Sequence, residues 1–312
     1  MNYNKDITYS RAVRAGRDIL ESNNIDNADY DSFALFEHVT GIGRTQYLIH
    51  SGDPMDKGQY AAFLEHINQR AAHIPLQHIL GKAYFYGYEF KVNENVLVPR
   101  PDTEVLVEQV MKVANENSTV LDMCTGSGCI ILTLALEGHL KNGVGVDVSE
   151  AAIAVAEDNR RMHSLVIDGS VRLENGNLKN DNLRNANLKN ATMDNITFIK
   201  SDLYSELDDT RFDVIVSNPP YIRSEVIPTL TEEVRLHDPM LALDGFEDGL
   251  YFYRKITEQS VNHMKTGGWL MYEIGHDQAE DVSLIMTEAG YSQVSVVKDL
   301  AGLDRVVKGI LL

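Results

Sequence analysis

The stretch FDVIVSNPPY, residues 212–221, predicts a strand followed by a rigid loop, and it is the most informative part of the chain for the fold. Its apolar start is typical of a buried strand. The strand ends at Asn218, and Pro219 and Pro220 make the following backbone too stiff to continue as a strand or a helix. The Asn218 side-chain carbonyl and the Pro219 backbone carbonyl can together accept both hydrogens of a substrate NH2 group, and the Tyr221 ring can cover the flat group that carries this nitrogen. The alternative is an ordinary strand followed by a Pro-Pro turn with no binding role. The rest of the sequence is needed to choose between these two interpretations.

An earlier buried strand, TVLDM at residues 119–123, runs into a glycine turn and then a helix over residues 130–136. Glycines at such a turn let a ligand approach the backbone closely, and the helix N-terminus behind them is electropositive. The third glycine of the dinucleotide fingerprint is missing, because Ile131 stands at its position. The turn is therefore weak evidence for nucleotide binding by itself. It consists of Cys124, Thr125, Gly126, Ser127 and Gly128.

The next two predicted strands also end in acidic residues. Asp147 lies 21 positions after Gly126, where a carboxylate can bind two ribose hydroxyls. After the following strand, Asp202 is placed to accept from an adenine amino group, with Leu203 against the ring. A solvated acid at a strand end is the alternative for Asp202. Together these features predict a nucleoside site without a pyrophosphate clamp, which favours S-adenosylmethionine over a nicotinamide cofactor.

Strands and helices alternate over residues 98–312, which predicts an α/β domain with a mostly parallel, doubly wound sheet. Ligands bind at the carboxyl ends of such strands. Because Asp122, Thr125, Asp147, Asp202 and Asn218 all lie at predicted strand ends, we expect them to meet at one edge of the sheet.

The residues before this domain predict two further parts. Residues 1–80 have helical periodicity and form a small helical domain, either stabilising or substrate-docking. Residues 81–97 carry alternating aromatics and an Asn-Glu-Asn turn, which predicts a linking β-hairpin. The strip VPRPDTE, residues 98–104, is either a linker with a helix cap at Asp102 or Thr103, or a rigid wall of the site into which Arg100 and Glu104 point.

Between Leu173 and Phe198, an apolar residue recurs every five positions among Asn, Asp and basic residues. This resembles a short run of pentapeptide repeats, inserted at residues 171–197 and too short to bury a core by itself. It is either a tolerated insertion at the sheet edge or a docking surface for a partner.

Composition narrows the function classes. The chain of 312 residues has 28 basic and 46 acidic residues, a net charge of −18, so direct binding to nucleic acid is not expected. Its two cysteines, Cys124 and Cys129, exclude a disulfide framework and a zinc cluster, and they fit a reducing compartment. There is no apolar signal core and no run long enough to span a membrane. We therefore expect a cytoplasmic protein with no metal and no membrane partner.

The chain resembles the PrmC/HemK family, the glutamine N5-methyltransferases of peptide chain release factors. Asn-Pro-Pro-Tyr is shared with adenine-N6 DNA methyltransferases, whereas the Pro-Arg-Pro-Asp-Thr-Glu strip and the final Gly-Leu-Asp-Arg are much more specific. The resemblance runs from about Ile74 to Leu312 apart from the insertion, and its motifs are PLQHILG (75–81), VPRPDTEVLVE (98–108), VLDMCTGSGCI (120–130), SNPPYI (217–222), DGL (248–250), EIG (273–275) and DLAGLDRVV (299–307).

The resemblance implies a Rossmann-like, seven-stranded class I methyltransferase domain behind a helical N-terminal domain. It implies that S-adenosylmethionine, with S-adenosylhomocysteine as product, contacts residues 124–128, Asp147, Leu203 and Asn218. It also implies that residues 218–221 hold the glutamine of a Gly-Gly-Gln loop in a release factor, and so modulate translation termination. The chain departs from the family pattern at Cys124, usually Gly, at Leu203, usually a larger aromatic, and at His237-Asp238-Pro239, usually Tyr-Glu-Pro.

Three other activities are compatible with parts of the pattern. A glutamine methyltransferase of a ribosomal protein would use the same catalytic residues. An adenine-N6 DNA methyltransferase would also carry a basic target-recognition region, which this acidic chain lacks. A nucleoside-binding or interaction module without catalysis would bind S-adenosylmethionine and transfer nothing.

Overall fold

The computed structural model describes residues 7–167 and 193–312. In it the chain divides into two compact units, one formed by the residues up to Gly81 with Thr231–His237, the other by Lys82–Leu230 with Asp238–Leu312. Most of the predicted insertion at 171–197 lies outside the described residues. Two members of its five-residue series are described: Met193 and Phe198 are both buried in the core of the larger unit.

The smaller unit is helical. Its core includes Phe63 and Ile67, both fully buried on one face of the helix that their spacing predicts. Gly16 allows close packing, because a Cβ there would lie 2.6 Å from the Ser32 hydroxyl oxygen. The helices are α1 (Tyr9–Ser22), α2 (Ala28–Thr40), α3 (Arg44–His50), α4 (Lys57–Ala71), α5 (Leu76–Leu80) and α9 (Glu232–His237).

A buried arginine explains why α9 joins this unit although it comes much later in the chain. Arg70 donates from Nε to Asp31 and from Nη2 to Glu233, each at 2.7 Å. His73 and Glu232 lie 3.1 Å apart beside this pair. Since a buried guanidinium needs carboxylate partners, α9 supplies one that α1–α5 alone do not.

The larger unit holds a two-stranded hairpin and a seven-stranded sheet. Its helices and strands are β1 (Lys82–Phe85), β2 (Tyr88–Lys91), α6 (Thr103–Met111), β3 (Thr119–Met123), α7 (Cys129–Leu136), β4 (Asn142–Asp147), α8 (Glu150–Ile167), β5 (Ile196–Lys200), β6 (Phe212–Ser217), α10 (Met240–Leu243), α11 (Tyr251–His263), β7 (Met264–Glu273), α12 (Ala279–Glu288), β8 (Tyr291–Lys298) and β9 (Asp304–Leu311). The sheet confirms the predicted Rossmann-like α/β fold.

The strand order is β5-β4-β3-β6-β7-β9-β8. The first five strands are parallel, whereas β9 runs antiparallel between β7 and β8. In β3 to β7 the registers align Met123 with Val146 and with Ser217, so the carboxyl ends of these strands reach the same edge. Connections from these ends therefore build the site.

Side chains alternate across the sheet and make two cores. Val120, Val214 and Val216 face the first core, to which α6 and α7 contribute, and Leu121 and Ile215 face the second, to which α11 and α12 contribute. This two-residue period is what a pleated strand requires when both faces are buried.

The hairpin differs from the sequence expectation in its turn. The two central residues are Tyr86 and Gly87, both with positive φ, 52° and 79°. Such a two-residue turn matches the twist of the flanking strands. The predicted hairpin and the predicted Asn-Glu-Asn turn are both present, since the Val96 N–H donates to the Asn93 carbonyl at 3.2 Å. This turn lies after β2, so it is not the one that closes the hairpin.

Two kinds of feature are absent from the part of the chain that is described. None of its helices is long and apolar enough to cross a membrane. Across residues 7–167 and 193–312, no three His, Cys, Asp or Glu side chains are arranged to hold a metal ion.

Candidate active site

A pocket opens at the carboxyl edge of the sheet, inside the larger unit. It brings together eight of the nine predicted cofactor-binding residues, and the exception is Gly128. A Cβ added to Gly128 would lie 3.0 Å from the Phe198 ring, so this glycine allows close packing and does not face the pocket. The predicted residues that line the pocket are Cys124, Thr125, Gly126, Ser127, Asp147, Asp202, Leu203 and Asn218, together with Pro220 of the substrate set.

The glycine turn presents open backbone to this pocket. Gly126 has φ of 54°, and a Cβ added there would have no atom within 4 Å. A side chain at this position would therefore occupy space that a ligand can use. The turn is held from behind, because the Thr125 N–H donates to the Val146 carbonyl at 2.9 Å and Gly126 donates to Asp147. The N-terminus of α7 begins immediately after the turn, at Cys129.

Asp147 links the turn to the next strand. Its Oδ2 accepts the Gly126 N–H and its Oδ1 accepts the Ser149 N–H, both at 2.9 Å. Burial raises the pKa of this carboxyl, and the N–H donors lower it in part. Each oxygen keeps further lone pairs, so the carboxylate can also accept from two hydroxyls of a ligand.

Two residues beside the pocket have left-handed backbone although they are not glycine. Cys124 has φ of 60° and Leu203 has φ of 52°. Residues held in this region cost about 1 kcal/mol or more and persist where the surrounding structure determines them. The position of Cys124 explains why glycine is usual there in the family that the sequence resembles. Burial and the carboxylates of Asp147 and Asp122 raise the pKa of the Cys124 thiol, so it is not a reactive thiolate.

Asp122 stands behind the turn and does not line the pocket. Its Oδ2 accepts the Thr125 hydroxyl at 2.6 Å, and the carboxyl is fully buried near the Ile131 N–H. Burial raises its pKa from 3.8 to about 7, against the effect of the Thr125 hydrogen bond. The Asp122 carboxyl therefore supports the turn but resists ionisation.

We expect Asp122→Asn to change how stability depends on pH. Unfolded Asp122 ionises near 3.8 whereas the folded protein holds the proton to about 7, so the wild-type free energy of unfolding falls as pH rises through this window. The asparagine keeps an oxygen for Thr125 and cannot ionise. Its thermal midpoint relative to wild type should therefore be higher at pH 8 than at pH 5, by several degrees, in circular dichroism. The exposed Asp209→Asn is the control, and an equal difference at both pH values would contradict the assignment.

Asn218 follows β6 directly and is held by neighbours from two other elements. Its Nδ2 donates to the Thr103 hydroxyl at 3.4 Å. The buried carboxyl of Glu273, at the end of β7, lies near both side chains, which lower its pKa. With Nδ2 turned toward Thr103, Oδ1 is the atom left to accept a hydrogen bond from a substrate. Thr103 thus contacts the Asn218 side chain. Asp102 occupies the predicted N-cap position of α6, but its side chain makes no cap hydrogen bond.

Glu273 is a buried carboxyl beside the site that the sequence motifs do not single out. Burial raises its pKa to about 7, while hydrogen bonds from Thr103 and Asn218 and the charge of Arg305 oppose the shift. Its Oε2 is buried and has no hydrogen-bond partner. The only sequence signal for it is its place at the end of a buried strand, in the Glu-Ile-Gly motif.

The other three residues of the Asn-Pro-Pro-Tyr loop differ in whether they line the pocket. Pro220 lines the pocket, whereas Pro219 and Tyr221 do not. The Tyr221 ring packs against the second core, and burial raises the pKa of its hydroxyl. The Pro219 carbonyl carbon is bonded to the Pro220 nitrogen, so this carbonyl remains next to the pocket wall.

The strip at residues 98–104 contributes one charged group to the pocket. Arg100 lines it and donates to the buried carboxylate of Asp238 at 2.9 Å. Glu104 does not line it, because its carboxylate accepts the Tyr86 N–H at 2.8 Å. Of the two predicted inward side chains, only Arg100 borders the pocket, and Glu104 anchors the hairpin turn.

The apolar walls of the pocket were also missed. They come from apolar residues that belong to no binding motif. In the sequence, such residues look like ordinary core residues. These residues include Val96, Ile130, Val148, Leu241, Ala242 and Phe252, whereas Val98, which also lines the pocket, belongs to the strip offered as a wall. A pocket with two carboxylates, an open glycine turn and apolar walls fits an elongated molecule that carries hydroxyls at one part and a flat ring at another.

Two protein-family models match the chain. The PrmC N-terminal domain matches residues 11–81, and the Eco57I restriction-modification methylase matches residues 141–272. Together they cover most of the helical unit and the strands from β4 to β7.

Relatives match nearly the whole chain. The release factor glutamine methyltransferase of Caulobacter vibrioides is 36% identical over 97% of this chain and 96% of that protein. The protein of the same name from Geobacter sulfurreducens is 35% identical over 94% of this chain and 93% of that protein. Among solved structures, a methyltransferase from Pyrococcus furiosus superposes with a TM-score of 0.50 at 14% identity, covering 78% of this chain and 98% of that one, which shows a shared fold alone.

Proposed function

The chain belongs to the release factor glutamine methyltransferase family, and from this premise we propose that it transfers a methyl group from S-adenosylmethionine to the N5 amide nitrogen of a release-factor glutamine. One observation about its own site carries the proposal. The Asn218 side chain lines the same pocket as Asp147 and the open turn at Gly126, with its Nδ2 donating to the Thr103 hydroxyl. A carboxamide acceptor thus borders the same pocket as the glycine turn and the Asp147 carboxylate.

The donor set fits S-adenosylmethionine. A Cβ at Gly126 would enter open space, and the Asp147 carboxylate retains lone pairs for ribose hydroxyls. We assign the ribose to Asp147, the adenine amino group to Asp202 with Leu203 against the ring, and the rest of the molecule to residues 124–128 and Asn218. When bound, this molecule supplies a methyl group already activated on a sulfonium, and it becomes S-adenosylhomocysteine.

The protein's own task is alignment. An amide nitrogen is a poor nucleophile because its lone pair is delocalised into the carbonyl. Asn218 Oδ1 and the Pro219 carbonyl accept the two N–H bonds of the glutamine side chain and aim its nitrogen. Because positive charge grows on this nitrogen during transfer, the same two oxygens stabilise the transition state more than the ground state. The surplus proton leaves to water afterwards.

The target glutamine is assigned to the Gly-Gly-Gln loop of a peptide chain release factor, so that methylation modulates translation termination. Two glycines directly before the glutamine leave that side of it free of bulky neighbours, which suits entry into a pocket walled by Pro220 and Phe252. The partner is a cytoplasmic protein, and a chain with net charge −18 favours a basic surface on it.

The Eco57I match favours one competing activity, N6 methylation of adenine in DNA, for residues 141–272. The same Asn218 and Pro219 oxygens would hold an exocyclic amino group. The strong negative charge opposes this reading, because nucleic-acid binding depends on basic contacts to phosphate. A glutamine of a ribosomal protein is the other candidate acceptor.

Methyl transfer from labelled S-adenosylmethionine tests the proposal. We expect label in purified release factor and none when the glutamine of its Gly-Gly-Gln motif is replaced by alanine. Duplex DNA and ribosomal proteins serve as parallel acceptors in the same assay. Label in DNA, or label in the glutamine-free release factor, would refute the proposed substrate.

A further inference from the structure

The carbonyl of Tyr221 is held from outside the pocket by a side chain far away in sequence. Gln278 Nε2 donates to the Tyr221 carbonyl at 3.0 Å and to the Gly249 carbonyl at 3.3 Å. Gln278 is 8% exposed and precedes α12 at the N-cap position, where its side chain makes no cap bond. Its side-chain amide therefore donates to the Asn-Pro-Pro-Tyr loop and does not cap its own helix.

The other end of the same amide is also fixed. Gln278 Oε1 accepts the Gly275 N–H at 2.9 Å and the Tyr253 hydroxyl at 3.4 Å. The Tyr253 hydroxyl shares its one hydrogen with the backbone carbonyl of Glu273, which is the nearer acceptor at 3.0 Å. These bonds orient the amide, so that Nε2 and not Oε1 faces the Tyr221 carbonyl.

Two glycines make room for this contact. A Cβ on Gly249, which has φ of 74°, would lie 2.4 Å from the Tyr221 carbonyl oxygen and 2.7 Å from Gln278 Nε2. A Cβ on Gly245 would lie 2.8 Å from the Tyr221 carbonyl carbon. Beyond Tyr221, the Ile222 N–H donates to the Leu243 carbonyl at 3.0 Å, and Gly245 donates to Ile222 at 2.8 Å. Only glycine allows this backbone approach.

We propose that Gln278 is a positioning residue that fixes the Asn-Pro-Pro-Tyr loop for methyl transfer; this inference rests on the proposed function. The physical link is the pair of prolines between Asn218 and Tyr221. Each proline locks φ and restricts the residue before it, so the segment transmits a displacement of the Tyr221 carbonyl to Asn218 instead of absorbing it. Gln278 contacts neither substrate nor cofactor, since the pocket is lined without it.

The test compares variants that change Gln278 and the glycine opposite it. Gln278→Glu keeps an oxygen for Gly275 and replaces the donor by an acceptor facing two carbonyls. Gln278→Met removes both hydrogen-bonding atoms without adding charge, and Gly249→Ala displaces the same Tyr221 carbonyl from the other side. The control Gln293→Glu adds the same charge at an exposed position of β8.

Two measurements are made on each variant. With release factor as substrate, the Gln278 variants should lower kcat by about 10- to 100-fold, because misplacement of about 1 Å costs this much, while the Kd for S-adenosylmethionine changes by less than about threefold. Hydrogen exchange read by mass spectrometry, which needs no substrate, should be at least about tenfold faster in residues 221–224 and unchanged in residues 119–128. Gln278→Glu combined with Gly249→Ala should be less than additive in kcat, because both act on one carbonyl.

Unchanged kcat and unchanged exchange at residues 221–224 in both Gln278 variants would overturn the proposal. So would an equal loss of kcat, S-adenosylmethionine affinity and global protection, which is the result of a merely structural role. If the wild-type protein methylates no release factor, the proposed function fails. The exchange measurement then still decides whether Gln278 holds this loop.

Discussion

Asn218→Ala is expected to lower kcat for release-factor methylation by about 10²-fold or more. The substitution removes the Oδ1 acceptor that borders the pocket, and with it the stabilisation of charge growing on the substrate nitrogen. Because this interaction strengthens in the transition state, the loss falls on kcat more than on KM.

The measurement is single-turnover methyl transfer under saturating S-adenosylmethionine, with Kd from calorimetry on the same preparations. Asn262→Ala, at an exposed position of α11, is the matched control and should keep wild-type kcat. A near-normal kcat for Asn218→Ala would remove the carboxamide from the mechanism. An unfolded variant is recognised by its circular dichroism and is replaced by Asn218→Ser, which keeps a smaller polar group.

Asp147→Ala should act on the other side of the pocket and weaken S-adenosylmethionine binding by about 10²-fold or more. Hydrogen bonds to a charged group contribute about 1.5–3 kcal/mol each, and two ribose hydroxyls are assigned to this carboxylate. The substitution also removes the acceptor of the Gly126 and Ser149 N–H groups, so the turn loses its anchor. The expected pattern is a raised Kd with kcat largely retained at saturation, the reverse of Asn218→Ala.

Isothermal titration calorimetry measures this effect directly. Asp209→Ala removes one negative charge at an exposed position of the same unit and should leave Kd unchanged. If Asp147→Ala binds with wild-type affinity, the ribose is held elsewhere and the nucleoside assignment for this edge is wrong. The two variants together separate cofactor binding from alignment of the substrate amide.

Much of the cofactor half of the pocket was predictable, and the reason lies in strand chemistry. A buried parallel strand is an apolar run, so a polar residue such as Asp147 or Asn218 at its end is conspicuous. The carboxyl ends of parallel strands converge on one edge, so residues far apart in the chain are placed together without knowledge of the loops. Gly128 was the exception, since a glycine that serves packing looks the same in sequence as one that faces a ligand.

The supports of the substrate half could not be predicted in this way. Glu273 and Gln278 lie more than 50 positions after Asn218, and each contacts the loop only because β7 pairs with β6 and α12 begins beside it. In the sequence, Glu273, whose buried carboxyl has its pKa raised to about 7, cannot be distinguished from a glutamate on the surface. The Glu104 carboxylate, expected to point inward, instead accepts a backbone N–H because the Tyr86–Gly87 turn presents one.

The sequence by itself determined the seven strands, the polar residues that end them and, through its motifs, the reaction, because periodicity and strand-end chemistry are local properties of the chain. Only the tertiary structure decided that β9 enters the sheet antiparallel between β7 and β8, and that Thr103, Glu273 and Gln278 surround the Asn-Pro-Pro-Tyr loop. These contacts are hydrogen bonds between distant segments. Their partners are selected by packing of the two cores, and no local pattern encodes that choice.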